Sequence, residues 1–447
     1  MATVARTLQR VLLEHGEGES QLTEEPFLPI LYFFFALFWG LVARHVATLA
    51  RNTFFISKVP YTAAVLMVGF LLGLWWSETG FPSRFAGQDT QPASNGSLGT
   101  LYPATEAWVF INGELVLFAF LPALVMADAM ATNVHIFKKS IIQILILAFV
   151  AVGLGAFLTA VVGRYVFPYN WNWYTAMALG SILSTTDPVA VVALLKELGA
   201  PRALTVVITG ESLLNDGSAA VMFRLFLNLQ NCISYSAGGV IGFFARSVLG
   251  GPAIGLGFGL VAAIWIGFTG LDAILQAGIT VAAAYLGFFV SEFNAKASGV
   301  LTVVTMGLVI AAGATTYLLV GDKGEFVTSV WEFIEYVANT VIFFLAGTIV
   351  ASRIFCGATP GCEIQGQDWG WAFLLFVFVY LIRLVVILLL LPILSRTGYG
   401  LTWRDAFVMS HGGLRGAVGL SLAMYVGDTV SLPARPYAPR CIFQIDL

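Results

Sequence analysis

The sequence predicts an all-α polytopic membrane protein, and its composition, its mean hydropathy and its long apolar segments together support that fold class. Of the 447 residues, 58% are hydrophobic and 11% are charged, and the mean hydropathy is +0.87. A soluble domain carries about 25% charged residues. The composition therefore excludes an ordinary soluble protein, a disordered tail and a coiled coil.

Charge and cysteine content exclude several further classes. The 22 basic and 25 acidic residues give a net charge of −3, so no basic excess points to a nucleic-acid partner. Four cysteines in this length form neither a disulfide scaffold nor a recognisable metal motif. The sequence also lacks the glycine-rich, lysine-containing loop that holds ATP phosphates. We expect a protein that is not an enzyme and that needs no cofactor.

Apolar segments long enough for a bilayer recur along the chain. A helix needs about 20 apolar residues to cross about 30 Å of hydrocarbon, and helices satisfy their own backbone polar groups in lipid. We predict twelve spans, at residues 27–50, 58–76, 106–127, 140–162, 172–195, 204–229, 239–267, 271–292, 297–319, 329–351, 371–395 and 404–426. A polar N-terminal tail, 1–26, precedes them, and an atypical C-terminal tail, 427–447, follows them.

Span 5 contains the run Ser184-Thr185-Thr186-Asp187-Pro188. Proline lacks an N–H group and frees carbonyls one turn earlier. Hydroxyls, free carbonyls and a carboxylate together are ligands for a hard cation. A simple proline kink, with the threonine hydroxyls satisfying the freed carbonyls, would explain why the threonines are there. It would not explain why a carboxylate lies in the middle of a span. The pattern therefore favours a cation site that includes Thr186 and Asp187.

Span 6 contains the run Glu211-Ser212-Leu213-Leu214-Asn215-Asp216. Residues four apart share a helix face, so Glu211 lies beside Asn215, and Ser212 lies beside Asp216. Ionisable residues within a span are costly and by default functional. Packing alone does not explain two acids and two polar groups this close together, so we predict that this face is functional.

Span 12 carries four glycines, in the run Gly412-Gly413-Leu414-Arg415-Gly416-Ala417-Val418-Gly419. Each glycine weakens a helix by about 1 kcal/mol relative to alanine, and Arg415 needs a carboxylate partner in the membrane. Broken helices in both halves of a chain are typical of inverted-repeat transporters. We predict a six-span repeat at 27–229, a linking span at 239–267 and a second, incomplete repeat at 271–426.

Other charged residues within the spans have simpler interpretations. Arg224 and Arg246 are expected to snorkel or to pair locally. For Arg383, Glu332 and Glu335 we favour structural pairing over a role in transport.

Four motifs in order resemble the sodium/proton exchangers of the monovalent cation/proton antiporter-1 family. They are Asp187-Pro188 with the following residues 189–200, Ser298-Gly299-Val300, Ala338-Asn339-Thr340 and Gly412-Gly413-Leu414-Arg415-Gly416. The first is similar to the plant and algal plasma-membrane salt-tolerance type and to the sperm-specific type. The resemblance covers about residues 27–426. It implies an antiporter fold of thirteen spans with two crossing discontinuous helices, usually a homodimer, in the plasma membrane. About twelve spans are present, so we expect a C-terminally truncated chain.

The resemblance also implies roles for individual residues. Cation and proton binding is assigned to Thr186, Asp187, Ser212 and Asp216, with Na⁺ at Asp187 and Asp216. Core stabilisation by a salt bridge and hydrogen bonds is assigned to Glu211, Asn215 and Arg415. We accordingly predict a buried Glu211–Arg415 ion pair. Electrogenic relatives carry two acids where this chain has Asn215-Asp216, so Asn215 implies electroneutral exchange.

The expected function is exchange of Na⁺ for H⁺ at one carboxylate, Asp216, with roles in pH and salt homeostasis. K⁺ and Li⁺ are alternative cations, and membrane lipid surrounds the protein. Three alternative functions stay open: a cation channel, a non-transporting truncated paralogue, and an intramembrane hydrolase that uses Ser298 and His411.

Overall fold

The computed structural model describes residues 27–49, 61–78, 101–109, 111, 113–231, 233, 235–269, 272–313, 322–354, 366–413 and 415–431. All regular structure within these ranges is helical, which confirms the predicted all-α class. The predicted N-terminal tail, 1–26, lies outside the described residues, as does the part of the C-terminal tail from 432 onward.

Fifteen helices are formed in this part of the chain. They are α1 Leu28–Leu49, α2 Tyr61–Glu78, α3 Leu101–Val109, α4 Gly113–Ala131, α5 Val134–Tyr165, α6 Trp173–Ile182, α7 Val189–Glu197, α8 Arg202–Gln230, α9 Gly238–Phe268, α10 Ala273–Asn294, α11 Gly299–Gly313, α12 Asp322–Ile354, α13 Gly366–Leu394, α14 Trp403–His411 and α15 Ala417–Ser431.

Polar capping residues explain where several helices begin. The Asn133 side chain accepts the Ile136 N–H before α5, and the Asn172 side chain accepts the Thr175 N–H before α6. At α14, Thr402 forms a reciprocal capping box with Asp405. Such caps satisfy backbone N–H groups that have no partner in the first helical turn.

Seven of the described helices are long and apolar enough to cross a membrane. The count of twelve spans stays a prediction, because other predicted spans correspond to shorter, broken or more polar helices. One predicted boundary is wrong. Span 3 was expected to start at 106, whereas residues 101–109 form the separate helix α3 and the long helix α4 begins at Gly113.

Three long helices contain a π-helical turn, at Ile146–Ala151 in α5, Arg246–Gly250 in α9 and Val290–Asn294 in α10. Single π turns are uncommon and are frequent at functional sites. The turn in α5 presents the Ala148 carbonyl to Ser218 of α8, whose hydroxyl donates to it at 2.5 Å. This bond ties α8 to α5 two residues beyond Asp216.

The chain divides into two compact units. The first comprises residues 1–111 and 340–364. In it, the rings of Tyr32 and Trp108 stack at 5.5 Å between centroids, and the Trp108 indole N–H donates to the Pro29 carbonyl at 2.7 Å.

The second unit comprises residues 112–339 and 365–447. Its core includes the fully buried side chains of Trp331, Phe223 and Phe288. All the predicted site residues belong to this unit. The predicted repeats at 27–229 and 271–426 concern internal symmetry, and they stay a prediction.

Candidate cation-binding site

Two interrupted helices frame the site. One interruption separates α6, which ends at Ile182, from α7, which begins at Val189; the other separates α14 from α15. The two connections meet, because the Arg415 Nη1 donates to the Thr185 carbonyl at 2.6 Å. Gly416 allows the close approach, since a Cβ there would stand 2.5 Å from the Asp187 Cβ. Both predicted helix breaks are confirmed.

Fixed charges stand at the broken helix ends. The Asp187 Oδ1 accepts the Val189 N–H at 3.0 Å, at the start of α7. A helix N-terminus carries partial positive charge and a C-terminus partial negative charge. Asp187 therefore complements the N-terminus of α7, while Arg415 complements the carbonyls that follow the C-terminus of α6.

A cavity of about 30 Å³ lies between these connections and the helices α4, α8 and α12. It is lined by all four residues predicted to bind the cation, Thr186, Asp187, Ser212 and Asp216. Asp128 of α4 and Glu335 of α12 also line it, so four carboxylates face one small space. That density of hard oxygen ligands suits a small monovalent or divalent cation better than an anion.

Hydrogen bonds hold the α6–α7 connection against α8. Ser212 donates to the Thr186 carbonyl at 2.5 Å, and the Asn215 side-chain amide donates to the Thr186 hydroxyl at 2.6 Å. Asp216 is one helical turn beyond Ser212 and is partly buried. Among the described residues, its carboxylate has no hydrogen-bond or ion-pair partner, so it is available to a cation or a proton.

Three residues that the sequence does not assign to cation binding also line this cavity: Asp128, Glu335 and Asn339, the last of which belongs to the motif Ala338-Asn339-Thr340. Predicted span 3, at 106–127, ends one residue before Asp128, and no role is predicted for that carboxylate. Glu335 was interpreted as a structural residue. One signal could have identified it: Asn339 follows four residues later and donates to Glu335 at 3.4 Å, which repeats the spacing of Glu211 and Asn215.

The predicted ion pair between Glu211 and Arg415 is wrong. Glu211 instead pairs with Arg383 of α13, at 2.9 Å between Oε1 and Nη2. Arg383 fits there because Gly413 has no side chain; a Cβ at Gly413 would stand 2.6 Å from the Arg383 Cδ. Glu211, Arg383 and Arg415 together line a second cavity of about 40 Å³. The structural pairing expected of Arg383 is confirmed.

Two further sequence interpretations have clear outcomes. Arg224 forms an ion pair with Glu292 of α10, so it pairs with an acid, but the partner lies on another helix. His411 lies 2.7 Å from the Tyr380 hydroxyl through Nε2, and Ser298 accepts the Leu301 N–H. Within the described residues these two side chains have separate partners, so the geometry does not support a serine–histidine hydrolase.

The sequence matches the family model described as "Sodium/hydrogen exchanger, transmembrane" over residues 41–445. It is 37% identical over 411 residues to sodium/hydrogen exchanger 7 of Arabidopsis thaliana, covering 92% of this chain and 34% of that protein. It is also 37% identical over 381 residues to sodium/hydrogen exchanger 8 of the same plant, covering 85% of this chain and 48% of that protein. The chain thus spans a third to a half of the length of these relatives.

A solved structure shares the fold. The sodium proton antiporter MjNhaP1 from Methanocaldococcus jannaschii superposes with a TM-score of 0.66 at 18% sequence identity, over 91% of this chain and 89% of that one. At this identity the match supports the fold alone, and it agrees with the predicted architecture of crossing discontinuous helices.

Proposed function

Because the chain belongs to the sodium/hydrogen exchanger family, we propose that it exchanges Na⁺ for H⁺ across a membrane, one ion for one proton. The observation that carries this proposal is the Asp216 carboxylate, which has no hydrogen-bond or ion-pair partner among the described residues and shares a cavity with Asp187, Thr186 and Ser212. The named relatives are sodium/hydrogen exchangers, which supports Na⁺ as the cation. K⁺ and Li⁺ are the alternatives to test.

The ligand chemistry supports a hard cation. Carboxylate, hydroxyl and carbonyl oxygens are the donors such ions prefer, and the site contains all three. Asp187 and Asp216 supply the charge, while Thr186 and Ser212 supply neutral oxygens. Asn215 and the Glu211–Arg383 pair hold α8 in place, and Arg415 holds the two connections together.

The proposed mechanism is competition at Asp216. Its carboxylate binds either a proton or a dehydrated cation, and each neutralises its charge. A bare charge inside a membrane costs several kcal/mol, so the site changes its exposure from one side to the other only when it is neutralised. Each tenfold Na⁺ gradient supplies about 1.4 kcal/mol, which can hold a difference of about one pH unit.

The wider arrangement is also part of the proposal. The interruptions in α6–α7 and α14–α15 occupy matching places in the repeats at 27–229 and 271–426, with 239–267 as the linking span. Such symmetry is common in secondary transporters. The family resemblance supports a homodimer in the plasma membrane.

The decisive variant is Asp216→Asn, which keeps the side-chain shape and removes the titratable group. Reconstituted into proteoliposomes with a pH dye inside, it should lose Na⁺-driven proton movement, to below about a tenth of the wild-type rate. The matched control is Asp272→Asn, the same change at the exposed cap of α10, where asparagine caps a helix as well as aspartate. If Asp216→Asn retained exchange, Asp216 would not be the group that carries the proton and the cation.

The same vesicles separate the rival functions. A non-transporting protein gives no Na⁺-driven pH change in wild type. A channel gives unitary currents in a planar bilayer, whereas an exchanger that cycles through a neutral site gives none.

A further inference from the structure

Six exposed basic side chains lie at one end of the second unit, where α5 begins, where α7 is followed by α8 and where α13 is followed by α14. Among the described residues, none of the six forms an ion pair, and none lines the cavity around Asp216. The proposed exchange therefore gives them no role. This basic surface consists of Lys138, Lys139, Lys196, Arg202, Arg396 and Arg404.

Hydrophobic packing brings four of the helix ends together. The end of α7, the start of α8, the end of α13 and the residue before the cap of α14 each contribute a buried leucine to one cluster, namely Leu195, Leu204, Leu394 and Leu401. The basic residues of these four ends, which lie within three residues of the leucines in sequence, therefore belong to one surface.

The start of α5 joins the same surface through polar contacts. The buried Gln143 side-chain amide donates to the Leu394 carbonyl at 3.0 Å and to the Thr397 carbonyl at 2.7 Å. One turn earlier on α5, the Lys139 Nζ lies 4.4 Å from the centre of the Tyr399 ring. The two lysines of α5 thus lie beside the α13–α14 connection.

Helix stability does not explain these charges. A helix C-terminus favours a cation and an N-terminus disfavours one. Lys196 and Arg396 lie near C-termini, but Arg202 is the first residue of α8 and Arg404 the second residue of α14. The helix dipoles therefore account for two of the six positions and oppose two others.

Few acidic residues balance the surface. The same helix ends carry two, Glu197 and Asp405, and the Asp405 carboxylate accepts hydrogen bonds from the backbone and the hydroxyl of Thr402. Six basic residues against two acidic ones leave an excess of four positive charges, so this surface attracts an anionic partner.

The basic surface lies at the level of the lipid headgroups. Helices α5 and α13 are long and apolar enough to cross a membrane, and α5 begins and α13 ends at this surface. Two exposed aromatic residues, Tyr399 and Trp403, lie among the basic ones. Tyrosine and tryptophan are enriched where membrane meets water, which favours a lipid over a soluble partner.

We infer that this surface binds the headgroups of anionic phospholipids in the adjoining leaflet. Clusters of lysine and arginine beside membrane-spanning helices bind such lipids, and each basic residue strengthens binding about fivefold. Because these charges are exposed, added salt should weaken the interaction.

Binding of short-chain lipids to the full chain in an uncharged detergent tests the inference. Dioctanoyl phosphatidylserine should bind more tightly than dioctanoyl phosphatidylcholine, as measured by microscale thermophoresis. Lys139→Gln/Arg404→Gln should raise the Kd for phosphatidylserine about 25-fold, because it removes two basic residues from the surface. Lys139→Arg/Arg404→Lys, which keeps both charges, should bind like wild type.

The matched control is Arg246→Gln/Lys296→Gln. It also removes one exposed arginine and one exposed lysine, but these line a cavity at the other end of α8, and the Kd should stay within about twofold of wild type. If Lys139→Gln/Arg404→Gln does not fold, Lys138→Gln/Arg396→Gln gives the same test.

Three results would overturn the inference. Equal affinity for phosphatidylserine and phosphatidylcholine would point to an acidic protein as the partner of this surface. Inorganic phosphate that binds as tightly as phosphatidylserine would mean that a free anion is the ligand. An equal rise in Kd in the two double glutamine variants would mean that total charge, and not this surface, determines binding.

Discussion

At the scale of single residues, the buried Glu211–Arg383 pair is the clearest departure from the sequence prediction. The side chains are 3% and 16% exposed, so each charge depends on the other. The sequence indicates that Glu211 needs a cationic partner. The sequence does not distinguish Arg383 from Arg415 as that partner, because the choice depends on the space that Gly413 leaves beside Arg383.

Stability measurements can test this pair. Glu211→Ala and Arg383→Ala should each lower the free energy of unfolding by about 3–5 kcal/mol, because each strands a buried charge. The double alanine variant should lose less than the sum, and thermal unfolding in detergent measures the coupling. The comparison cycle pairs Glu211→Ala with Arg415→Ala. Stronger coupling in that cycle than in the Arg383 cycle would restore the original prediction.

At the scale of helices, the two interruptions show what sequence can and cannot predict. Pro188 and the glycines from Gly412 onward predict the breaks, because both residue types have local backbone effects. The split between α3 and α4 was not predicted, because the apolar segment predicted as span 3 continues across it and hydropathy alone does not mark the break. Asp128 was not predicted for a different reason: predicted span 3 ends at 127, one residue before it, whereas α4 continues to Ala131.

The contact between the two connections makes Gly416 a sensitive position. In Gly416→Ala, the added Cβ would meet Asp187 at 2.5 Å, so the carboxylate must move. We expect about a tenfold or greater loss of exchange, since misplacing a reacting group by about 1 Å has effects of that size. Gly153→Ala is the control, because a Cβ there meets nothing within 4 Å. Equal activity in the two variants would mean that Asp187 need not hold its position.

At the scale of the whole molecule, the stoichiometry of exchange depends on how many carboxylates change protonation in a cycle. The Asn215-Asp216 sequence predicts one, because asparagine cannot titrate. The structure adds Asp128 and Glu335 to the same cavity. The spacing of Glu335 and Asn339 marks Glu335 as a candidate, but no sequence pattern shows that it shares a cavity with Asp128, because the two residues lie about 200 positions apart. Only folding brings them together.

A voltage test distinguishes these cases. If one Na⁺ exchanges for one H⁺, no net charge moves, and the exchange rate should not respond to an imposed potential. Moving one net charge through 100 mV would change the driving force by about 2.3 kcal/mol. The measurement is Na⁺-driven pH change in proteoliposomes clamped at positive, zero and negative potentials. A rate that follows the potential would implicate Asp128 or Glu335 as a second proton carrier.

The π turn at Ile146–Ala151 limits how this protein can diverge. Relative to a regular helix, such a turn holds one extra residue, and its Ala148 carbonyl bonds Ser218 close to Asp216. Deleting one residue there would restore a regular helix and rotate everything beyond it by about 100°. Functional descendants of this sequence should therefore vary in residue type across the turn while keeping its length.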